Sequence, residues 1–230
     1  MANYAIAIAV FFCMNSLLGI HFPLRQYLLS LIAWESVGQS NWYIFAIVCC
    51  YLSTYISFTV FKDKRYAFAL TVILHLIYII VLHETKESWW YNIILTYPAG
   101  MLVSLKKKEL LSFIESHYLI SVIGTFVIFL LLYNFGHSTV IYQATSVAFG
   151  FLLFFISYRL VIKNSFLTWC GKNLFQLYVY QRIPMIALYN LLPQAVRIHP
   201  YLYVTFCMAV ALLFAVLIKP VSITLPKRIR

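Results

Sequence analysis

The chain has 230 residues, of which 63% are hydrophobic and only 10% charged, and it carries a net charge of +11. A soluble domain has about 25% charged residues, so this composition suits lipid as solvent, not water. Basic residues that bind nucleic acid gather on one face or stripe; here they stand in short clusters between apolar runs, and no nucleic-acid partner is expected.

Eight apolar stretches have the length that spans a hydrocarbon core. They predict an all-α integral membrane protein of about eight transmembrane helices in one bundle. The first, 4–20, follows the start MANYAIAIAVFF, which lacks a basic leader and a small-residue cleavage site; it reads as a retained helix, not a signal peptide. The segment 21–40 contains Pro23 and Gly38, and the spacing of Tyr27, Leu28, Leu31 and Trp34 predicts a short interfacial helix there. The second span, 41–61, runs into Lys62, Lys64 and Arg65. The third, 66–82, carries His75 at its middle. The fourth, 89–105, holds Pro98 and Gly100, which imply a break or a close helix contact, and it exits into Lys106, Lys107 and Lys108. The fifth and sixth cover 117–133 and 139–162, the seventh 170–192, the eighth 201–221. Runs such as FVIFLLLY do not alternate in polarity, as barrel strands would. No linker, repeat or low-complexity tract divides the chain, so residues 1–230 read as a single multi-pass domain.

Lys and Arg set the orientation. The loops after the second, fourth, sixth and eighth spans hold Lys62, Lys64, Arg65, Lys106, Lys107, Lys108, Arg159, Lys163, Lys172, Lys219, Lys227, Arg228 and Arg230. The opposite side holds Arg25, Lys86 and Arg197. This asymmetry places both termini in the cytoplasm of a plasma (inner) membrane protein. The tail KPVSITLPKRIR then lies on the anionic inner leaflet or serves as a plain topology signal.

Arg182 is the residue that composition explains least, because it falls deep within the seventh span, where an arginine costs about 2.5–3.5 kcal/mol on insertion scales. Pro184 follows it and frees a backbone carbonyl. Tyr180, Gln181 and Arg182 together form a polar stretch in an apolar run, a candidate site for an anionic group such as a phosphate or a thioester carrier; the competing reading is a structural charge paired with carbonyls. His75 is either a general base or a hydrogen-bonding partner of a neighbouring helix. The six acidic residues, Glu35, Asp63, Glu84, Glu87, Glu109 and Glu115, all avoid the middle of a span, which weakens a proton-coupled transporter. No phosphate-binding glycine loop, HExxH or GxSxG motif is present. Cys13, Cys49, Cys50, Cys170 and Cys207 form no CxxC pair and read as small packing residues, without a disulfide or a metal site.

Three segments resemble the acyltransferase-3 family, the membrane O-acyltransferases that modify bacterial surface carbohydrates. GQSNWYIFAIVCCYLSTYISF resembles that family's "NSNWY" helix, WYNIILTYPAGMLVSLKKKEL its Pro-Gly helix with a basic exit, and FLTWCGKNLFQLYVYQRIPMIAL its late "iYl-H-p" helix. Their order and spacing agree from about Gly38 onward. The family has about ten helices, and the eight here correspond to its last eight, so its first two, with the proposed catalytic His and an associated Arg, find no counterpart. The late His position is Gln181. The resemblance implies transfer of an acetyl group from acyl-CoA (acetyl-CoA) to a cell-envelope carbohydrate hydroxyl, with Tyr180, Gln181 and Arg182 binding substrate and His75 as the remaining candidate base. The alternatives are a non-enzymatic membrane subunit, working with a membrane protein partner or as a homo-oligomer, and a small transporter or flippase for lipid-linked sugar.

Overall fold

The computed structural model describes residues 2–38, 40–135, 138–160 and 163–217. The basic tail with Lys219, Lys227, Arg228 and Arg230 lies outside the described residues, as does the Arg197 side chain. Among the described residues every regular element is a helix. Five are long and apolar enough to cross a membrane: Trp42–Val60, Lys64–Thr85, Lys107–Phe135, Thr139–Arg159 and Pro200–Leu217. Their outer faces keep large apolar side chains exposed, among them Leu119, Ile120, Ile123, Val127 and Leu131. A soluble monomer rarely shows a continuous apolar surface of this kind, and the chain is a helical membrane protein.

The helices gather into two compact units. One is Trp42–Ile162, with α3 (Trp42–Val60), α4 (Lys64–Thr85), α5 (Thr96–Leu105), α6 (Lys107–Phe135) and α7 (Thr139–Arg159). The other joins Met1–Asn41 to Lys163–Arg230. It contains α1 (Ala2–Leu17), α2 (Leu24–Leu31), α8 (Ser165–Lys172), α9 (Leu174–Tyr180), α10 (Arg182–Leu191), α11 (Pro193–Ile198) and α12 (Pro200–Leu217).

In the Trp42–Ile162 unit, α4 begins at Asp63, whose carboxylate accepts the Arg65 N–H at 2.8 Å and so satisfies an orphan donor of the first turn. The fourth apolar stretch is not one helix. Ser88–Trp90 makes a 3-10 turn, residues 91–95 continue as turns, and only Thr96–Leu105 is α-helical. The break therefore falls before Pro98, not at it. Pro98 stands in the first turn of α5, where a missing N–H costs nothing. The irregular turn is held by α7: Gln143 donates its amide to the Tyr91 carbonyl and accepts the Leu95 N–H at 3.1 Å. Non-helical backbone survives at membrane depth only when protein groups satisfy it in this way.

Helix α6 is kinked at His117 (φ −131°, ψ 37°). Residues 118–135 beyond the kink have a length of about 27 Å, close to a hydrocarbon core. They run antiparallel to α7, with Phe129 against Phe149. At the basic end of this hairpin the Tyr158 hydroxyl donates to Glu115 at 2.7 Å, and the Arg159 guanidinium lies 4.2 Å from the Tyr118 ring centre.

In the other unit α1 buries one stripe, Tyr4, Ala7, Ile8, Phe11 and Asn15, the i, i+3/i+4 spacing of a helix with one packed face. Helix α12 buries Cys207, Ala211 and Ala215, small residues one turn apart that let helices approach closely. The predicted short helix in 21–40 is α2. The loop after it is folded by side chains: Asn15 donates to the Val37 carbonyl at 2.8 Å, Gln26 to the Ser36 carbonyl at 2.6 Å, and Asn41 to the carbonyls of Ala33 and Glu35. The predicted seventh span, 170–192, is broken in the structure. Helices α8 and α9 part at Asn173 (φ −111°, ψ 18°), whereas at Gln181, between α9 and α10, the backbone keeps helical angles (φ −57°, ψ −29°) and only the hydrogen-bond ladder is interrupted. Pro184 explains this interruption, because it has no N–H for the Tyr180 carbonyl four residues earlier.

Candidate functional site

Two clusters, one in each unit, hold the residues that the sequence singled out. The first surrounds Arg182. Tyr178 and Arg182 stand one helical turn apart across the α9–α10 break, and both reach Ser40. The Tyr178 hydroxyl donates to the Ser40 carbonyl at 2.7 Å, and the Arg182 guanidinium donates to the Ser40 hydroxyl at 2.9 Å. Arg182 is exposed and has no carboxylate partner among the described residues. A guanidinium has five N–H donors in a rigid fork, and the Ser40 bond uses one of them. Gly38 fixes the approach of the loop: its φ is +120°, and a Cβ built there would come within 2.8 Å of Ile186 Cδ1 and 3.2 Å of Phe11 Cδ1.

The three adjacent candidates have different fates. Gln181 is exposed and helps line a groove of about 370 Å³ between α8–α10 and α12, whose walls include Cys170, Leu177, Met185, Tyr203 and Cys207. Tyr180 is buried, its ring stacked on Phe214 at 6.1 Å, and its hydroxyl has no partner among the described residues. Arg182 sits beside the Ser40 loop instead of in the middle of an unbroken helix.

The second cluster belongs to α3, α4 and α5. His75 is buried at the middle of α4. Its Nδ1 lies 2.8 Å from the Thr71 carbonyl. A carbonyl only accepts, so Nδ1 carries the ring proton and Nε2 is left as an acceptor. That Nε2 faces the Cys50 sulfur on α3 at 3.4 Å, in position to accept its S–H. The imidazole stacks on the Tyr97 ring, with centres 5.5 Å apart and planes 13° from parallel. Thr54 donates to the Cys50 carbonyl at 2.9 Å, so the Tyr97 hydroxyl is the donor in its 2.9 Å bond to Thr54. An open groove of about 280 Å³ adjoins His75, lined by Cys49, Ser53, Ile56, His75, Tyr78 and Ile94; Cys50 is not part of its wall.

The structure thus groups Tyr180, Gln181 and Arg182 in one unit and places His75 in the other. Sequence reasoning did not single out Ser40 or Cys50. Ser40 stands in the GQSN segment, and Cys50 lies in the apolar run of α3, where a thiol reads as packing. No family model, no curated protein and no solved structure matches the chain.

Proposed function

We propose that the chain is a plasma-membrane O-acyltransferase of the acyltransferase-3 type, moving an acetyl group from acetyl-CoA to a hydroxyl of cell-envelope carbohydrate. The observation that carries this reading is the convergence on Ser40. Two of the three segments that resemble the family, GQSN and YVYQRIP, are distant in sequence and meet there through Tyr178 and Arg182. A shared resemblance between two segments means more when the fold brings those same segments together. In this reading Arg182 offers its unused N–H groups to an anionic group of the substrate, and Gln181 adds an amide beside it. His75, with Nε2 free of its own proton, is the base for a hydroxyl or thiol.

The proposal includes eight crossings with both ends in the cytoplasm. Helix α5 alone, ten residues long, rises about 15 Å, half of a hydrocarbon core. The crossing from Ser88 to Leu105 therefore includes the irregular turn that Gln143 satisfies. The seventh crossing is α9 followed by α10, about 27 Å along residues 174–191. On this topology the 21–40 segment lies outside, Arg182 stands near the middle of the seventh crossing within reach of Ser40, and the basic loops meet the CoA phosphates inside.

The test is transfer of labelled acetyl-CoA into envelope glycan by membranes from cells with and without the gene. Label that depends on the chain is expected. Equal labelling in both would contradict the enzyme reading and leave a non-enzymatic membrane subunit or a small transporter for lipid-linked sugar.

A further inference from the structure

The Cys50–His75 pair has the parts of an activated nucleophile: a thiol, a base within hydrogen-bond reach, and a third group that orients the base. Here the sulfur lies 3.4 Å from His75 Nε2, and the Thr71 carbonyl holds Nδ1–H at 2.8 Å. The tautomer is the one a general base needs, with the lone pair aimed at the thiol. Tyr97 stacks against the ring and restricts its tilt. The adjoining groove reaches His75 and the neighbouring Cys49 and Ser53, leaving room beside the imidazole for a short acyl chain. A packing cysteine requires no such base, and a histidine that only bridges helices requires no such groove.

We propose that Cys50 is an acyl-carrying nucleophile, so that the chain works through a covalent thioester on α3; this rests on the acyl-transfer reading above. In the first half-reaction His75 Nε2 takes the Cys50 proton, and the sulfur attacks the carbonyl of the donor thioester. The bond between the acyl carbon and the donor sulfur breaks, and the departing thiolate takes the proton back from Nε2. In the second half-reaction Nε2 takes the proton of an acceptor hydroxyl, and its oxygen attacks the Cys50 thioester. The carbon–sulfur bond breaks and Cys50 recovers its proton from His75. The Thr71 carbonyl stabilises the transient imidazolium through Nδ1–H, as the orienting member of a triad does. Both residues lie midway along their helices, so the acyl group rests at mid-membrane between a donor on one side and an acceptor on the other.

The purified full chain in detergent is incubated with radiolabelled acetyl-CoA, quenched in acid and digested, and the labelled peptide is located by mass. Hydroxylamine-labile label on Cys50 is expected. Cys50→Ala abolishes it, Cys49→Ala retains it, and His75→Gln, which keeps an amide in place of the ring, slows its formation by about a hundredfold or more. Label on another residue, or a Cys50→Ala variant that transfers acetyl to envelope glycan at the unaltered rate, overturns the proposal while leaving the acyl-transfer reading standing. An unaltered chain that neither takes up label nor transfers acetyl overturns both. Mapping the label on the unaltered chain keeps the proposal open to refutation even if a variant fails to fold.

Discussion

Arg182→Ala is expected to cut acetyl transfer to envelope glycan at least about tenfold with little loss of folded protein. A hydrogen bond to a charged group is worth about 1.5–3 kcal/mol, and each 1.36 kcal/mol is a factor of ten in rate. An arginine that binds an anion through its free donors therefore contributes about tenfold to a hundredfold. The structural share is smaller. Arg182 is exposed, and the Ser40 loop keeps its second tie through Tyr178, whose hydroxyl bonds the Ser40 carbonyl independently of the guanidinium. Arg182→Lys retains the charge and loses the fork, so it recovers activity only in part. Ser40→Ala removes one bond to the guanidinium and leaves the charge, and its effect is expected to be milder than that of Arg182→Ala. Rates measured in membranes at matched protein amounts decide this; an Arg182→Ala variant as active as the unaltered chain would remove the anion-binding role.

The largest expected loss of stability comes from Gly38→Val. The residue lies at φ +120°, where a β-branched side chain costs about 1–3 kcal/mol in backbone strain. The added atoms also meet Ile186 Cδ1 and Phe11 Cδ1, with the first Cβ contact at only 2.8 Å. Overpacking of this kind costs a further 1–3 kcal/mol, roughly. The end of Ile186 can swing aside and relieve part of the second cost, but nothing relieves the first without moving the loop. Gly38 joins α2 to the Ser40 tie, so the strain falls on the candidate site. Thermal unfolding in detergent should show a clear drop in Tm, accompanied by loss of acetyl transfer. An unchanged Tm would mean that the loop accepts another path, and the stated geometry of Gly38 would be wrong.

Much of the helical architecture was legible in the sequence because apolar length is a local property. Trp42–Val60 and Lys64–Thr85 lie within a few residues of the stretches read as 41–61 and 66–82. The short helix between the first two spans was legible from the spacing of Tyr27, Leu28, Leu31 and Trp34, although it ends at Leu31 and leaves Trp34 in the loop. Pro184 announced an interrupted hydrogen-bond ladder, which the structure contains. Pro98 and Gly100 pointed to a break or a close contact in the fourth stretch, and the break is there, at residues 91–95 just before Pro98. What the sequence could not supply were pairings between distant residues. A glutamine at 143 signals polarity in an apolar run but says nothing of the Tyr91 and Leu95 backbone it satisfies. Ser40 and Arg182 are separated by most of the chain. Cys50 and His75 stand on consecutive helices, yet each alone has an ordinary packing explanation, and only the 3.4 Å approach joins them.

The topology underlies the proposed transfer, since it puts the basic loops on the donor side of the membrane and the 21–40 segment on the other. Cysteine accessibility tests it most directly. In a chain freed of its five cysteines, single cysteines replace Lys64, Glu87 and Lys107, all exposed positions at helix ends. The account predicts that a membrane-impermeant maleimide labels the Glu87→Cys chain in intact cells, and labels the Lys64→Cys and Lys107→Cys chains only after lysis. Labelling of Lys107→Cys from outside would mean that residues 88–105 do not cross, and labelling of Lys64→Cys from outside would invert the protein; either result contradicts the account.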